Sequence, residues 1–393
     1  MPSRSTAALR AEALDLLAKL VAFDSTMRNS NLPILDFIRD HLDRLGIASL
    51  RVDYEPGKAN LYATIGPDTS GGVVLSGHTD VVPVDGQSWT SDPFALTERD
   101  GRVYGRGACD MKGFVACCLA LAPHFAAKAS ALKRPIHLAF SCDEEVGCRG
   151  VRPLVAHIRD HLPLPAAVIV GEPTMMGLVD AHKTAISYET VVTGHEAHSS
   201  LAHEGVNAIM VAGEILAELN RIDAEMRERG DASGRFDPPW TSVHVGLIAG
   251  GTARNIVPKR CAFSWETRLL PDSDPDEVPV RLAAFCSGLE RRMQAKFPET
   301  GIATRRLNAV PGLKPDPGSP AERLARLLTG ANTATAVSYA TEAGLFQEAG
   351  MSAIICGPGS IDQAHKPDEF VDIAQLEACA AMLGRLLDHL TEG

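Results

Sequence analysis

The sequence lacks the features that define several large protein classes. It has no long apolar run: stretches such as Ala167 to Val170 and Ser352 to Cys356 fall far short of the ~20 residues needed to span a bilayer. Its first ten residues, Met1 to Arg10, are polar and carry no apolar h-region, so a secretory leader is not expected. There is no CxxC pair, and Cys142 with Cys148 is not a zinc-ribbon spacing. The nine cysteines are scattered through apolar segments, Cys117, Cys118, Cys261, Cys286 and Cys379 among them. They read as buried free thiols of a cytoplasmic protein. Basic residues are in deficit, 38 Lys and Arg against 49 Asp and Glu, for a net charge of −11. That deficit argues against a nucleic-acid partner, and no membrane partner is expected either. Internal repeats and low-complexity tracts are also missing.

What remains is an ordinary globular composition, 45% hydrophobic and 22% charged over 393 residues, long enough for roughly two to three domains. Ala8 to Leu45 has a helical pattern. Asn60 to Ile65, Val73 to Leu75, Ile136 to Phe140 and Ala167 to Val170 read as short strands, with helices over Met111 to Phe125 and Val151 to Asp160. Short apolar strands separated by helices predict an α/β fold, a mostly parallel sheet covered on both faces. After Lys183 the character changes. Ala185 to Thr193 alternates, Gly205 to Asn220 reads as a helix, and a charged, Gly- and Pro-containing excursion follows to Pro239. Strands at Thr241 to Ile248 and Cys261 to Leu270, a helix at Pro275 to Lys296 and a strand at Ile302 to Val310 complete a ferredoxin-like α+β order. A Pro/Gly cluster from Pro311 to Gly318 marks its end, and α/β character resumes with Pro320 to Leu328, Ser352 to Cys356 and Leu376 to Leu390. The expectation is one domain of residues 1–183 and 312–393, interrupted by a second over 184–311.

The chemistry gathers just past the strand ends, where open α/β sheets bind ligands. His78 and Asp80 follow the Val73 strand, Glu144 and Glu145 the Ile136 strand, Glu172 the Ala167 strand, and His365 the Ser352 strand. Asp110 joins them after a glycine-rich turn. A lone His-x-Asp or Glu-Glu is usually a solvated surface pair; their joint placement is what carries weight. Imidazoles with carboxylates and no thiolate suit Zn²⁺, Co²⁺ or Mn²⁺, and a carboxylate can bridge two ions ~3.5–4 Å apart. Asp80 is expected to accept the second imidazole N–H of His78. Adjacent side chains diverge in extended backbone, so one of Glu144 and Glu145 is expected as a ligand and the other as a base.

These residues also carry a resemblance. Ser76 to Pro83 (SGHTDVVP), Tyr104 to Gly113 (YGRGACDMKG), Asp143-Glu144-Glu145 and Gly171-Glu172-Pro173 resemble the successive motifs of the M20 metallopeptidase family. Trp89 to Phe94, Thr341-Glu342-Ala343 and Gly357 to Glu369 are most similar to the branch that deacetylates N2-acetyl-L-ornithine. The resemblance implies a zinc-exopeptidase-like catalytic domain with an inserted lid domain. It implies two divalent ions, Zn²⁺ or Co²⁺: His78 and Glu172 on one, Glu145 and His365 on the other, Asp110 bridging. Glu144 would move the proton. His198 would donate to the oxyanion, Arg268 would grip an α-carboxylate, and Asn255 and Gly359 would contact substrate. Glu342 would meet the side-chain amine. The implied reaction converts N2-acetyl-L-ornithine to L-ornithine and acetate, a step of arginine synthesis. Acetylcitrulline, succinyl-diaminopimelate or a dipeptide are alternative substrates, and a silent metal-binding protein is the alternative from another class. A small-molecule N-acyl amino acid is the expected partner, with a homodimer through the lid domain possible.

Overall fold

The computed structural model describes residues 6–392; the first five and the last residue of the expected first domain lie outside the described residues. The chain divides into two compact units. One holds the chain up to Ala181, Pro315–Thr335 and Thr341 onward; the other holds His182–Lys314 and Ala336–Ala340. Residues 336–340, expected with the first domain, thus go with the second.

The first unit opens with α1 (Thr6–Val21) and α2 (Leu32–Asp43). The helical pattern expected over Ala8 to Leu45 resolves into these two helices. Asn31 turns its side chain to the backbone of Ala59, receiving the Ala59 N–H and donating to its carbonyl, and Pro33 begins the new helix. Then follow β1 (Ser49–Glu55), β2 (Lys58–Ile65), β3 (Val73–His78), β4 (Thr97–Arg99), β5 (Arg102–Tyr104), α3 (Lys112–Ala127), β6 (Ile136–Ser141), α4 (Val151–His161), β7 (Ala167–Val170) and β8 (Leu178–His182). Past the second unit come α7 (Pro320–Thr329), β13 (Ala334–Val337), α8 (Ala343–Glu348), β14 (Ala353–Ile355), β15 (Phe370–Asp372) and α9 (Ile373–Glu392), the numbers between being those of the second unit below.

Eight strands form a mixed sheet in the order β1-β2-β6-β3-β7-β14-β8-β13. Its centre, β6-β3-β7-β14, is parallel, and β3, β6 and β7 are buried along their whole length, the mark of a sheet covered on both faces. Val73, Leu75, Ile136, Leu138 and Ile169 join the core with α1, α2, α3, α7 and α9. The alternate residues Val74, Ala139 and Val168 are equally buried and point to the opposite face. Helix α3 is buried almost all round. Its Phe114 lies flat against the end of β7: a Cβ on Gly171 would stand 2.0 Å from the Phe114 ring. A separate three-stranded sheet, β15-β5-β4, pairs Phe370 with Tyr104 and so brings the chain just before β15 against the turn just after β5.

The second unit contains β9 (Thr184–Thr193), α5 (Ala208–Arg229), β10 (Ser242–Gly250), β11 (Arg260–Leu269), α6 (Glu277–Gln294) and β12 (Gly301–Val310). Its sheet runs β10-β11-β9-β12, antiparallel throughout, which is the ferredoxin-like arrangement. Helix α5 runs nine residues beyond its expected end, into the charged part of the expected excursion, while its Gly- and Pro-containing part, 230–239, holds no helix or strand. Leu219, Ile222 and Met226 keep its buried stripe going, Arg221–Glu225 and Arg227–Asp223 pair along its surface, and Gly230 with φ 65° ends it.

Candidate metal centre

Parallel strands end at the same edge of a sheet, and that edge collects the functional side chains. His78 is the last residue of β3; Glu144 and Glu145 lie in the turn after β6; Glu172 lies two residues beyond β7. Asp110 precedes α3 across a cis bond to Met111. His365 sits in the segment between β14 and β15, with φ 64°. All five residues expected as ligands belong to the first unit.

They fall into two groups that share Asp110, namely His78, Asp110 and Glu172, and Asp110, Glu145 and His365, with one donor atom from each residue within 4.8 Å of the others in its group. Asp110 divides its carboxylate between them. Oδ1 lies 2.9 Å from His78 Nε2 and Oδ2 lies 3.5 Å from His365 Nε2. His78 Nε2 is 3.8 Å from Glu172 Oε1, and His365 Nε2 is 3.0 Å from Glu145 Oε2. His78, Asp110 and Glu172 are buried, whereas the His365 side chain is 54% exposed, so the centre opens to solvent beside His365.

The protein's own groups leave this cluster with unresolved charge. Burial opposes a charge on His78, but the hydrogen bond and charge of Asp110, with Asp80 and Glu172, hold its imidazole well above the ordinary range. Hydrogen bonds to Asp110 and Glu145 raise His365 to about 10. Burial would raise Asp110, yet the hydrogen bonds of the two imidazoles outweigh it and hold the carboxyl below its ordinary value. Glu172 is pushed well above the carboxylate range, by burial first and by the charge of Asp110 second, and Glu145 is raised by the same two causes. Three carboxylates converge where two imidazoles cannot balance them. Divalent cations fit such a donor set, imidazole and carboxylate without thiolate. The thiol beside Asp110 in the chain, Cys109, is pushed far up by burial and turns its sulfur to the carbonyl of Ser360, 3.3 Å away.

Around the ligands the structure corrects two expectations. The carboxylate of Asp80 does not orient His78: Nδ1 donates to the Asp80 carbonyl oxygen at 2.9 Å, with Oδ1 3.8 Å away. The carboxylate instead accepts the backbone N–H groups of Glu144 at 3.2 Å and Glu145 at 3.1 Å. It fixes the turn that aims those two side chains apart, because unsatisfied N–H groups of a buried turn need an acceptor. Glu342 is buried and accepts hydrogen bonds from Ser76 at 2.5 Å and Ser141 at 2.7 Å. Both its oxygens are occupied within the fold, so it does not present a carboxylate to a substrate amine. Gly359 is buried with φ 88°, and a Cβ there would meet Cys109 Sγ at 2.5 Å. Its carbonyl accepts from Met175 and its N–H reaches Gln375 Oε1 at 3.4 Å.

Glu144 and Glu145 sit in a turn, not in extended backbone, and still diverge. Glu145 faces Asp110 and His365, while Glu144 Oε1 accepts from Cys148 Sγ at 3.1 Å. Burial first, and the neighbouring Glu145, push the Glu144 carboxyl to about 8. The other three expected residues lie in the second unit. His198 is exposed, its Nδ1 2.7 Å from the Ser200 hydroxyl. Asn255 is exposed and its carbonyl accepts from Ser199. Arg268 lies on β11 and pairs with Glu266 at 3.1 Å. His195, read as a surface residue, pairs with Glu299 at 2.6 Å and stacks on Phe297.

The most deeply buried Arg–carboxylate pair among the described residues escaped the sequence reading. Arg106 and Glu369 are each 1% exposed and meet at 2.7 Å. Both stand inside the motif stretches, but nothing in the sequence says that residues so far apart face each other.

The description of peptidase family M20/M25/M40 matches residues 74–389. The chain belongs to that family. An acetylornithine deacetylase of Myxococcus xanthus is 37% identical to this family member over 385 residues, covering 96% of this chain and 97% of the relative. Among solved structures, an M20 metallo-carboxypeptidase from Sulfolobus solfataricus superposes with a TM-score of 0.76 at 19% identity, covering 97% and 99% of the two chains. A dinuclear metal-binding M20 peptidase from Bacillus subtilis gives 0.69 at 16% identity, covering 98% and 99%. This M20 hydrolase shares their fold. No helix among its described residues is long and apolar enough to cross a membrane.

Proposed function

We propose that this hydrolase cleaves the amide bond of N-acyl amino acids, with N2-acetyl-L-ornithine as its preferred substrate, giving acetate and L-ornithine for arginine synthesis in the cytoplasm. The observation that carries the reading is the pair of His/carboxylate groups sharing Asp110 with Glu144 beside them, in a chain 37% identical to an acetylornithine deacetylase. His78 and Glu172 would hold one ion, Glu145 and His365 the other, and Asp110 both. Zn²⁺ suits these donors, and Co²⁺ can replace it. Bound there, divalent cations polarise the acyl carbonyl and make water more acidic.

The remaining work belongs to the side chains. Glu144 takes a proton from the attacking water and returns it to the nitrogen as the C–N bond breaks, so atoms balance: amide and water give carboxylic acid and amine. An ordinary carboxyl is too weakly basic for this, and burial moves Glu144 in the required direction. His198 donates to the developing oxyanion. Arg268 exchanges its partner Glu266 for the substrate α-carboxylate, a bidentate pairing that guanidinium geometry favours, and Asn255 contacts the substrate. A homodimer through the second unit accords with β10, an edge strand exposing Leu247 at 72% and Ile248 at 54%. Light scattering on a sizing column tests the dimer.

The substrate test is a panel comprising N2-acetyl-L-ornithine, acetylcitrulline, succinyl-diaminopimelate and dipeptides, assayed with added Zn²⁺ or Co²⁺. N2-acetyl-L-ornithine is expected to give the highest kcat/KM. A higher value for another member moves the assignment to that substrate.

A further inference from the structure

Two of the proposed ion-holding residues, Asp110 and His365, come from segments 255 positions apart in the chain, yet both must face the same ion. Between them runs a chain of contacts made to their main chains. Glu369 Oε1 accepts the backbone N–H groups of Cys109 at 2.9 Å and Asp110 at 3.0 Å, and Oε2 accepts that of Gly107 at 3.0 Å. Oε2 also pairs with Arg106 Nη1 at 2.7 Å. The carboxylate thus fills the concave turn that presents Asp110, as an anion fills a nest of N–H groups. From Arg106 the contacts continue to the other ligand. Nη1 donates to the Lys366 carbonyl at 3.3 Å, and Nη2 donates to Gln87 Oε1 at 2.6 Å. Gln87 Nε2 then donates to the carbonyl oxygen of His365 itself, at 2.8 Å. Trp89 steadies the middle of the chain, its indole N–H reaching Gln87 Oε1 at 3.1 Å and its ring lying 5.1 Å from the Arg106 guanidinium.

The geometry assigns Gln87, Arg106 and Glu369 as a positioning relay that fixes Asp110 and His365 relative to one another. The relay rests on the two-ion reading above. Two features make His365 the residue that needs it. Its imidazole is the exposed member of the cluster, so packing does little to hold it. Its backbone has φ 64°, a left-handed conformation that residues with a Cβ adopt uncommonly. The hydrogen bond from Gln87 lands on that residue's carbonyl. Contacts of this kind behind a metal ligand are typically worth about 10–100-fold in metal affinity.

Gln87→Glu separates positioning from structure. A carboxylate at position 87 still accepts from Arg106 and Trp89, but it has no N–H to give His365. If Gln87 only supports the loop, this variant binds metal like wild type. If it positions His365, the variant fails like the isosteric Gln87→Met, which loses both contacts. The measurement is competition for Zn²⁺ against a chelating indicator, in wild type, His365→Ala, Gln87→Glu, Gln87→Met and Glu369→Gln, with the melting temperature of each stripped protein alongside. Wild type is expected to bind in two steps, one of them lost in His365→Ala. That step is expected to weaken about 10–100-fold in both Gln87 variants, the other step and the melting temperature staying near wild type. Glu369→Gln, if it folds, weakens both steps because Asp110 serves both ions. Wild-type affinity in Gln87→Glu overturns the relay while leaving the two-ion reading intact. A wild-type protein with no His365-dependent step overturns that reading and the relay with it.

Discussion

At the scale of single residues, Glu144 and Glu342 show how two buried carboxylates near one another take different roles. Glu342 gives both oxygens to serine hydroxyls; among the described residues Glu144 has only a thiol, a weak donor, and is raised to about 8. Replacing Glu144 with Ala is expected to lower kcat by at least ~100-fold, the low end for a lost general acid–base, while metal content stays at the wild-type value. Retained turnover would remove Glu144 as the proton carrier. Glu342→Ala is expected to act on stability. Two buried hydroxyls lose their acceptor, about 1–3 kcal/mol each, so denaturant unfolding should shift to lower midpoint with little change in KM for an ornithine-bearing substrate. A large rise in KM at unchanged stability would restore Glu342 as the amine-binding residue. The residue types of the cluster were legible in the sequence because metal chemistry restricts them to His, Asp and Glu. Which atom of Asp80 meets His78 was not, since the carbonyl and the carboxylate of one residue leave the same trace in a sequence.

At the scale of elements, the parallel strands decide where the ligands go, and α3 decides how closely the strand ends approach. Gly171 leaves room for the Phe114 ring, and an added Cβ would lie 2.0 Å from it. Gly171→Ala therefore forces Phe114 or the end of β7 to move. The expected cost is about 1–3 kcal/mol, the usual range for overpacking, with loss of metal from the group that includes Glu172, read by unfolding midpoint and metal analysis together. Full metal content at wild-type stability would contradict this account of the strand end. The strands and helices with clear apolar periods were readable, from β3 and β6 to α9. The three-stranded sheet β15-β5-β4 was not, because its strands are only three residues long and carry no period to detect. That small sheet is what brings Glu369 to the Asp110 turn. Helix α5 was cut short at its charged stretch, although Ile222 and Met226 continue the spacing of Ile215 and Leu219; charge on an exposed face hid the buried stripe.

At the scale of the whole molecule, the excess of acid over base in the composition, −11 in all, includes carboxylates concentrated at one sheet edge. Stability against acid should nonetheless depend on buried neutral histidines as well. His137 is 1% exposed and burial lowers its pKa to about 4; His182, in the second unit, is lowered to about 4 for the same first cause. Between the unfolded value near 6.5 and about 4, the unfolded chain takes up a proton that the folded chain refuses, so stability falls as pH falls through that window. At pH 5 the loss attributable to His137 is roughly 2 kcal/mol. His137→Gln is expected to shrink the difference in unfolding free energy between pH 7 and pH 5 by about that amount, measured on chelator-stripped protein. An unchanged difference would mean that His137 does not stay neutral in the fold.

The central claim, that two ions held around Asp110 serve amide hydrolysis, is tested most directly by titrating chelator-stripped protein with Zn²⁺ while following release of L-ornithine from N2-acetyl-L-ornithine. The rate is expected to rise with added metal and to level off at two equivalents per chain. A rate that stays at zero at every metal load, or that is unaffected by stripping, would contradict it.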